Sequence, residues 1–105
     1  VLCERRFVYP KEEPMRKDLL AELALSEDTL ISITPLINGL VAQSRAEKGC
    51  IRYEVFKKIG SIVIIEAWVD DAALEEHKTQ KHFTDLVTFI ESNDVVLTIS
   101  ELSSF

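Results

Sequence analysis

Two histidines are the side chains of this chain best suited to proton transfer. His77 and His82 are the only imidazoles among 105 residues, and an imidazole can deprotonate a phenol near neutral pH. His82 precedes Phe83 and follows a break between two predicted helices, where it would lie at the rim of a pocket. His82 is therefore the first candidate for a catalytic base and His77 the second. The structural alternative for each is a position on a helix surface or at a helix cap.

A carboxylate and an indole form the second candidate group. Glu66 and Trp68 are two residues apart on a predicted strand, so both side chains project to the same face. There the indole can wall an aromatic pocket, and the carboxylate can accept a proton or a substrate hydrogen bond. Tyr53, on the preceding strand, could add its hydroxyl to the same cleft. The alternative is structural, with Trp68 and Tyr53 packed in the core and Glu66 held by a polar partner.

The sequence contains no metal-binding pattern. The interval from His77 to His82 does not place both on one helix face, and no cysteine or carboxylate cluster of ligand spacing joins them. It also lacks a glycine-rich phosphate loop and a nucleotide-cofactor fingerprint. Cys3 and Cys50 are too few for a disulfide framework, and Cys50 is expected to pack as a small hydrophobe. We expect no metal and no cofactor.

Hydrophobic periodicity predicts the first helix. Apolar residues recur at three- and four-residue steps from Leu30 to Val41, a helical stripe that continues to about Glu47. Ser26 to Asp28 would cap its start. Gly49 would end it in the left-handed conformation. Pro35 and Gly39 lie inside and predict a kink or a late start.

The remaining elements follow from alternation and turn residues. The predicted order is strand, helix, strand, strand, helix, strand, which is the ferredoxin-like split βαβ plan with a four-stranded antiparallel sheet, an α+β class. Its segments are strands 19–25, 51–56, 62–68 and 95–99, a hairpin turn at Gly60-Ser61, and a helical region in two pieces, 72–78 and 81–91.

The third predicted strand is apolar on both faces. Ile62 and Ile64 lie on one, and Val63, Ile65 and Ala67 on the other. The helices of one subunit can cover only one face, and an exposed apolar sheet face would favour association. The sequence therefore predicts a homodimer that packs sheet against sheet.

Composition limits the partners. A formal net charge of −6 repels phosphate backbones and anionic membrane surfaces, so we expect no nucleic acid and no membrane partner. Apolar runs are too short to span a membrane, and a cytoplasmic location is the default. Residues 1–17, with two prolines and clustered charges, are expected to form an N-terminal extension in which Arg6–Tyr9 could pair as an edge strand. Residues 18–105 would form a single domain.

The chain resembles the antibiotic biosynthesis monooxygenase (ABM) domain, over about Leu19 to Val96. The resemblance lies in short motifs that occur in the family's order. The pattern of these motifs is similar to that of the quinol-oxidising branch. It implies a dimeric α/β barrel without a cofactor. The heme-degrading branch carries an asparagine where this chain has Leu23, which argues against heme. The motifs are Leu20-Ala21-Glu22, Pro35-Leu36-Ile37, Ser44 to Cys50, Tyr53-Glu54-Val55, Glu66-Ala67-Trp68, Ala73-Leu74, His77 and His82-Phe83.

Three functions follow as hypotheses. In the first, which the resemblance implies, a cofactor-independent monooxygenase oxidises a quinol or polyphenol with O2. His82 or Glu66 would remove the phenolic proton within a pocket lined by Trp68, Phe83 and Tyr53. The second is an isomerase of a small hydroxyketone, and the third is a non-catalytic dimeric ligand-binding or stress protein.

Overall fold

The computed structural model describes residues 15–105 and contains one four-stranded antiparallel sheet with three helices. The strand order is β2-β3-β1-β4, which confirms the predicted ferredoxin-like α+β fold. The elements along the chain are β1 Lys17–Ala24, α1 Glu27–Arg45, β2 Cys50–Lys58, β3 Ser61–Trp68, α2 Asp71–His77, α3 Lys81–Ser92 and β4 Val96–Leu102.

Local sequence explains where the elements begin and turn. The Ser26 side chain accepts a hydrogen bond from the Thr29 backbone N–H at the start of α1, and Asp70 caps α2 through the N–H of Ala73. Gly60 has a φ of 81° in the turn between β2 and β3, a conformation that favours glycine. The caps fix the starts of α1 and α2, and the turn fixes the tip of the β2–β3 hairpin.

The core lies between the helices and one face of the sheet, called here the inner face. Alternate residues of β3 point inward, and Ile62, Ile64 and Trp68 are each at most 2% exposed. They face Ile33 and Leu40 of α1, which are also buried. Glu66 shares this inner row, so the predicted pairing of Glu66 and Trp68 on one face is confirmed.

The opposite, outer face of the sheet has an apolar strip without a helix over it. Val63 and Ile65 on β3 remain partly exposed there, and Phe56 on β2 is 49% exposed beside Val63. Leu20 on β1 stands opposite Ile65. This strip is the surface that the sequence assigns to a partner subunit.

Of the kink or late start predicted from Pro35 and Gly39, the late start is wrong, because α1 begins at Glu27 and continues through Pro35 to Arg45. The prediction that Gly49 ends the helix is also wrong. Pro35 lies on an exposed side of the helix, where the carbonyl that it leaves unpaired can reach water. Ala46, in a right-handed helical conformation, caps the end, whereas positive φ occurs only at Asp94 and Gly60 among residues 15–105. Gly49 therefore does not end the helix.

The requirement for glycine at position 49 comes from packing instead. A Cβ there would collide with the Cβ of Ala73 on α2 and would lie 3.3 Å from Cγ2 of Val69. The Gly49 carbonyl also accepts a hydrogen bond of 2.9 Å from the Val69 backbone N–H. The loop before β2 thus packs closely against the segment that leads from β3 into α2.

Some predictions lie outside the part of the chain that the structure describes. These are the edge strand at Arg6–Tyr9, Cys3, and most of the extension assigned to residues 1–17. Cys50 packs, partly buried, against the core as expected. None of the helices in residues 15–105 is long and apolar enough to cross a membrane.

Candidate active site

The fold brings the six predicted site residues together on the inner face of the sheet. The His77 ring, at the end of α2, is central to the group. Its centroid lies 4.4 Å from that of Trp68, 5.2 Å from Phe83, 5.6 Å from His82 and 5.7 Å from Tyr53. Glu66 joins the group through the Trp68 indole. With Glu47, described next, these residues are called the buried cluster.

Glu47 is the residue that sequence reasoning missed. Its Oε2 lies 2.6 Å from Nδ1 of His77 and also 2.6 Å from Nε2 of His82. Glu47 precedes the two histidines by 30 and 35 residues, so no local spacing could reveal the contact. In the loop after α1, its backbone N–H donates to the Ser44 carbonyl and its carbonyl accepts from the Cys50 N–H, both at 3.1 Å. The shared carboxylate ties the end of α2 to the start of α3.

These contacts determine the tautomer of His77. An ionised carboxylate only accepts hydrogen bonds, so Nδ1 of His77 carries the hydrogen and a neutral ring keeps its lone pair on Nε2. That Nε2 is buried and has no hydrogen-bond partner in residues 15–105. His77 as a whole is 1% exposed. The site therefore presents an unpaired basic nitrogen within an aromatic environment, oriented by a carboxylate behind it.

The second carboxylate has a different environment. The Trp68 indole Nε1–H donates a 2.7 Å hydrogen bond to Oε1 of Glu66. Burial raises the pKa of Glu66 above its ordinary value of 4.5, and the indole hydrogen bond opposes that change in part. Burial also raises the pKa of Tyr53, so its hydroxyl stays protonated at neutral pH. Burial thus shifts both groups toward their protonated forms, beside the His77 imidazole.

The donor set of Glu47, His77 and His82 does not have the geometry of a metal centre. Its ligand atoms lie within 4.8 Å of one another, and two of the three separations are the 2.6 Å of hydrogen bonds. Ligands of one tetrahedral Zn²⁺ would sit about 3.3 Å apart. Shared protons fit these distances better than a shared cation.

Leu23, which stands where the heme-degrading branch carries an asparagine, is fully buried in the core.

A separate open space lies elsewhere on the inner face. A cavity of about 490 Å³, called here the open cavity, lies between α1 and the β2–β3 hairpin. None of the six predicted site residues lines it. Arg45 connects the two regions, because it lines the cavity and its Nε donates a 2.9 Å hydrogen bond to the Tyr53 carbonyl. His82 and Glu47 instead border a separate surface pocket of about 450 Å³.

The sheet has the split βαβ order and carries a cluster of aromatic and titratable side chains on its covered face. This order places the chain among the ferredoxin-like α+β proteins. The model of the family "Antibiotic biosynthesis monooxygenase" matches residues 19–88, and the chain belongs to this family. That result confirms the family resemblance seen in the motifs.

Individual relatives agree with this assignment. "Putative monooxygenase YcnE" of Bacillus subtilis is 41% identical over 52 residues, which are 47% of this chain and 55% of the relative. The match thus spans about half the length of that curated relative. A crystal structure named "antibiotic biosynthesis monooxygenase" is 29% identical, with a TM-score of 0.77 over 87% of this chain and 99% of its own.

Two further solved structures share the fold. PA3566 from Pseudomonas aeruginosa is 27% identical, with a TM-score of 0.77 over 90% of this chain and 98% of its own. Rv0793 from Mycobacterium tuberculosis is 19% identical, with a TM-score of 0.78 over 87% and 96%. At that identity the likeness concerns the fold alone.

Proposed function

We propose that this protein is a cofactor-independent monooxygenase that oxidises a quinol or another electron-rich phenol with O2, and that His77 is its base. The observation that carries the proposal is the unpaired Nε2 of His77, buried among aromatic rings while Nδ1 is held by Glu47. We assign the base to His77 before His82, because the Nε2 of His82 is already engaged by Glu47.

The first step is a proton transfer. The phenolic hydrogen moves to Nε2 of His77, and the resulting imidazolium is stabilised by the Glu47 carboxylate 2.6 Å from Nδ1. The aryloxide left behind is a better electron donor than the phenol. Glu66, held by the Trp68 indole, would hydrogen-bond a second substrate hydroxyl. Trp68, Phe83 and Tyr53 would hold the ring.

The electron balance restricts the substrate. One atom of O2 enters the product and the other leaves as water, which takes four electrons. Without a cofactor the substrate must supply all four, as when a dihydroxynaphthalene becomes a hydroxynaphthoquinone. A quinol fits this requirement, whereas a simple phenol releases electrons less readily.

Access to the base requires side-chain movement. Trp68, Tyr53 and His77 are each at most 2% exposed. The open cavity adjoins Tyr53, because Val55, two residues further along β2, lines it. We propose that substrate enters from this side as the Tyr53 ring moves, which would also exclude water from the reacting complex.

Oxygen consumption tests the proposal. Purified protein, with no cofactor added, is given reduced naphthoquinols and catechols, and the rate is compared with spontaneous autoxidation. The variants are His77→Gln, His82→Ala and Glu66→Gln. We expect uptake above background, one ¹⁸O atom from ¹⁸O2 in the product, and a loss of about 10²- to 10⁴-fold in His77→Gln.

The variants separate the alternatives. A greater loss in His82→Ala than in His77→Gln would move the base to His82. Uptake no faster than autoxidation with every compound would refute the monooxygenase and favour the isomerase or the ligand-binding protein. Far-ultraviolet circular dichroism of each variant excludes unfolding as the cause of a loss.

We also propose a homodimer that packs through the outer face of the sheet. The support is the partly exposed strip that contains Val63, Ile65 and Phe56. Ile65→Glu should then yield a monomer by analytical ultracentrifugation, whereas Ile59→Glu, at a fully exposed turn residue, should not change the mass. A wild-type monomer at micromolar concentration would refute the dimer. The cytoplasmic location stays a prediction from the sequence.

A further inference from the structure

The open cavity combines apolar walls with a charge opposite to that of the whole chain. Its walls include Leu30, Ile37, Val41, Val55 and Ile62, all aliphatic and wholly or partly buried. Its charged lining residues are Arg45 and Lys57, both cations, in a chain with a net charge of −6. The cavity is therefore an apolar space with a local positive charge.

The two cations have no carboxylate to neutralise them within residues 15–105. Neither forms an ion pair there, whereas neighbouring Lys58, on the outer face, has its Nζ 3.0 Å from Glu22. Arg45 is held in place by its Nε, which donates to the Tyr53 carbonyl. A fixed guanidinium presents a planar set of donors that matches a carboxylate. Lys57 can add a second, mobile positive charge.

Other pockets lack this combination. The surface pocket beside His82 is lined by Glu47 and Glu76 as well as Lys48 and Lys81, so its charges are mixed. The size of the open cavity, about 490 Å³, lies in the usual range for small-molecule sites. Charge and shape together thus distinguish this cavity from the rest of the described surface.

From these features we infer that the open cavity binds a small apolar molecule carrying one anionic group, with its carboxylate against Arg45 and Lys57 and its hydrocarbon body against α1. Two sources of this chemistry are aromatic acids and medium-chain fatty acids. The inference does not depend on the proposed oxidation, because it concerns binding alone.

Calorimetry on the full chain tests it with matched acids and amides. The probes are 2-naphthoate with 2-naphthamide and decanoate with decanamide, measured without turnover. We expect an acid to bind at least tenfold more tightly than its uncharged amide, and the acid's affinity to fall with added salt. The acid that binds more tightly shows whether the cavity accepts aromatic acids or medium-chain fatty acids.

Adjacent lysines provide a matched pair of variants. Lys57→Met should weaken binding of the acid about fivefold, because a partly exposed ion pair contributes roughly 1 kcal/mol. Binding of the amide should stay unchanged. Lys58→Met, on the other face, should change neither. Val41→Phe, which fills the cavity from the α1 side, should reduce binding of both acid and amide.

The inference is overturned if an amide binds as tightly as its acid. Equal effects of Lys57→Met and Lys58→Met, or no binding of either acid at millimolar concentration, would also overturn it. None of these outcomes bears on the base. Oxygen uptake that persists without binding of these acids would leave the proposed function intact.

Discussion

An active site needs reactive groups and space for a substrate. In this molecule the reactive groups lie in the buried cluster and the space lies in the open cavity. The buried cluster has the titratable groups, with His77 only 1% exposed, and none of its six predicted members lines the open cavity. The open cavity has the space and two cations but no histidine or carboxylate among its lining residues. Chemistry and access are therefore separated by the Tyr53 region, which Arg45 contacts from the cavity side.

The largest expected effect concerns the carboxylate of the buried cluster. Glu47→Gln removes the negative charge that stabilises the His77 imidazolium but keeps an oxygen that accepts from Nδ1. A hydrogen bond to a charged group contributes about 1.5–3 kcal/mol, so the oxidation rate at saturating substrate should fall roughly 10- to 100-fold. Steady-state oxygen uptake measures it.

The comparison of the two regions provides the control for Glu47→Gln. Binding of 2-naphthoate in the open cavity should stay unchanged, because Glu47 does not line it. A variant that loses acid binding together with activity would show that the two regions are one site.

The next effect concerns the backbone contact that positions α2. Gly49→Ala places a Cβ against Ala73, and relief of such overpacking typically costs about 1–3 kcal/mol. Gly39→Ala is the matched control within α1, because its Cβ would meet nothing closer than Gln43 Nε2 at 4.0 Å. That change should stabilise the protein by about 1 kcal/mol. Urea unfolding of both variants measures these changes in the free energy of unfolding, which should have opposite signs.

An equal response at the two glycines would contradict this account. If Gly49→Ala unfolded with the wild-type midpoint, the contact between the loop and α2 would not constrain the position of His77.

The smallest effect is a pH dependence of stability from Glu66. Because burial raises the pKa of Glu66, the folded protein keeps this proton at pH values at which the unfolded chain has lost it. The stabilisation from this proton is complete at pH values below about 4.5, the ordinary pKa of Glu66 in the unfolded chain. It is lost as the pH rises through the pKa of Glu66 in the folded protein. Glu66→Gln keeps an oxygen that can accept from Trp68 and does not titrate.

Thermal unfolding between pH 4 and 8 measures this contribution. The melting temperature of Glu66→Gln should rise relative to that of the wild type as the pH increases. Glu91→Gln, at an exposed position on α3, should keep a constant difference. A constant difference for Glu66→Gln as well would mean that the carboxylate is not penalised by burial.

Sequence patterns predicted the order of elements because hydrophobic periodicity is local. The alternation along β3 located Glu66 and Trp68 on one face, and the break before Lys81 separated the two short helices. Contacts between distant segments leave no such pattern. Glu47 reaches His77 and His82 only after three elements pack, and the collision at Gly49 depends on Ala73, so both escaped prediction.

The position of His82 illustrates the same limit. A break between helices does place it beside a pocket, but the tertiary contact with Glu47 engages its Nε2 and leaves the unpaired nitrogen on His77. The open cavity was not predicted at all. Its walls come from α1, β2 and β3, and each contributes residues that read in sequence as ordinary core or surface positions.

Trp68 is the only tryptophan in the chain, and its ring lies 4.4 Å from the His77 imidazole. Its indole N–H also bonds Glu66. The tryptophan fluorescence of the protein therefore originates within the buried cluster. A protonated imidazole is an efficient quencher of indole fluorescence, so the molecule carries a built-in optical indicator of the ionisation state at this site, readable without any label.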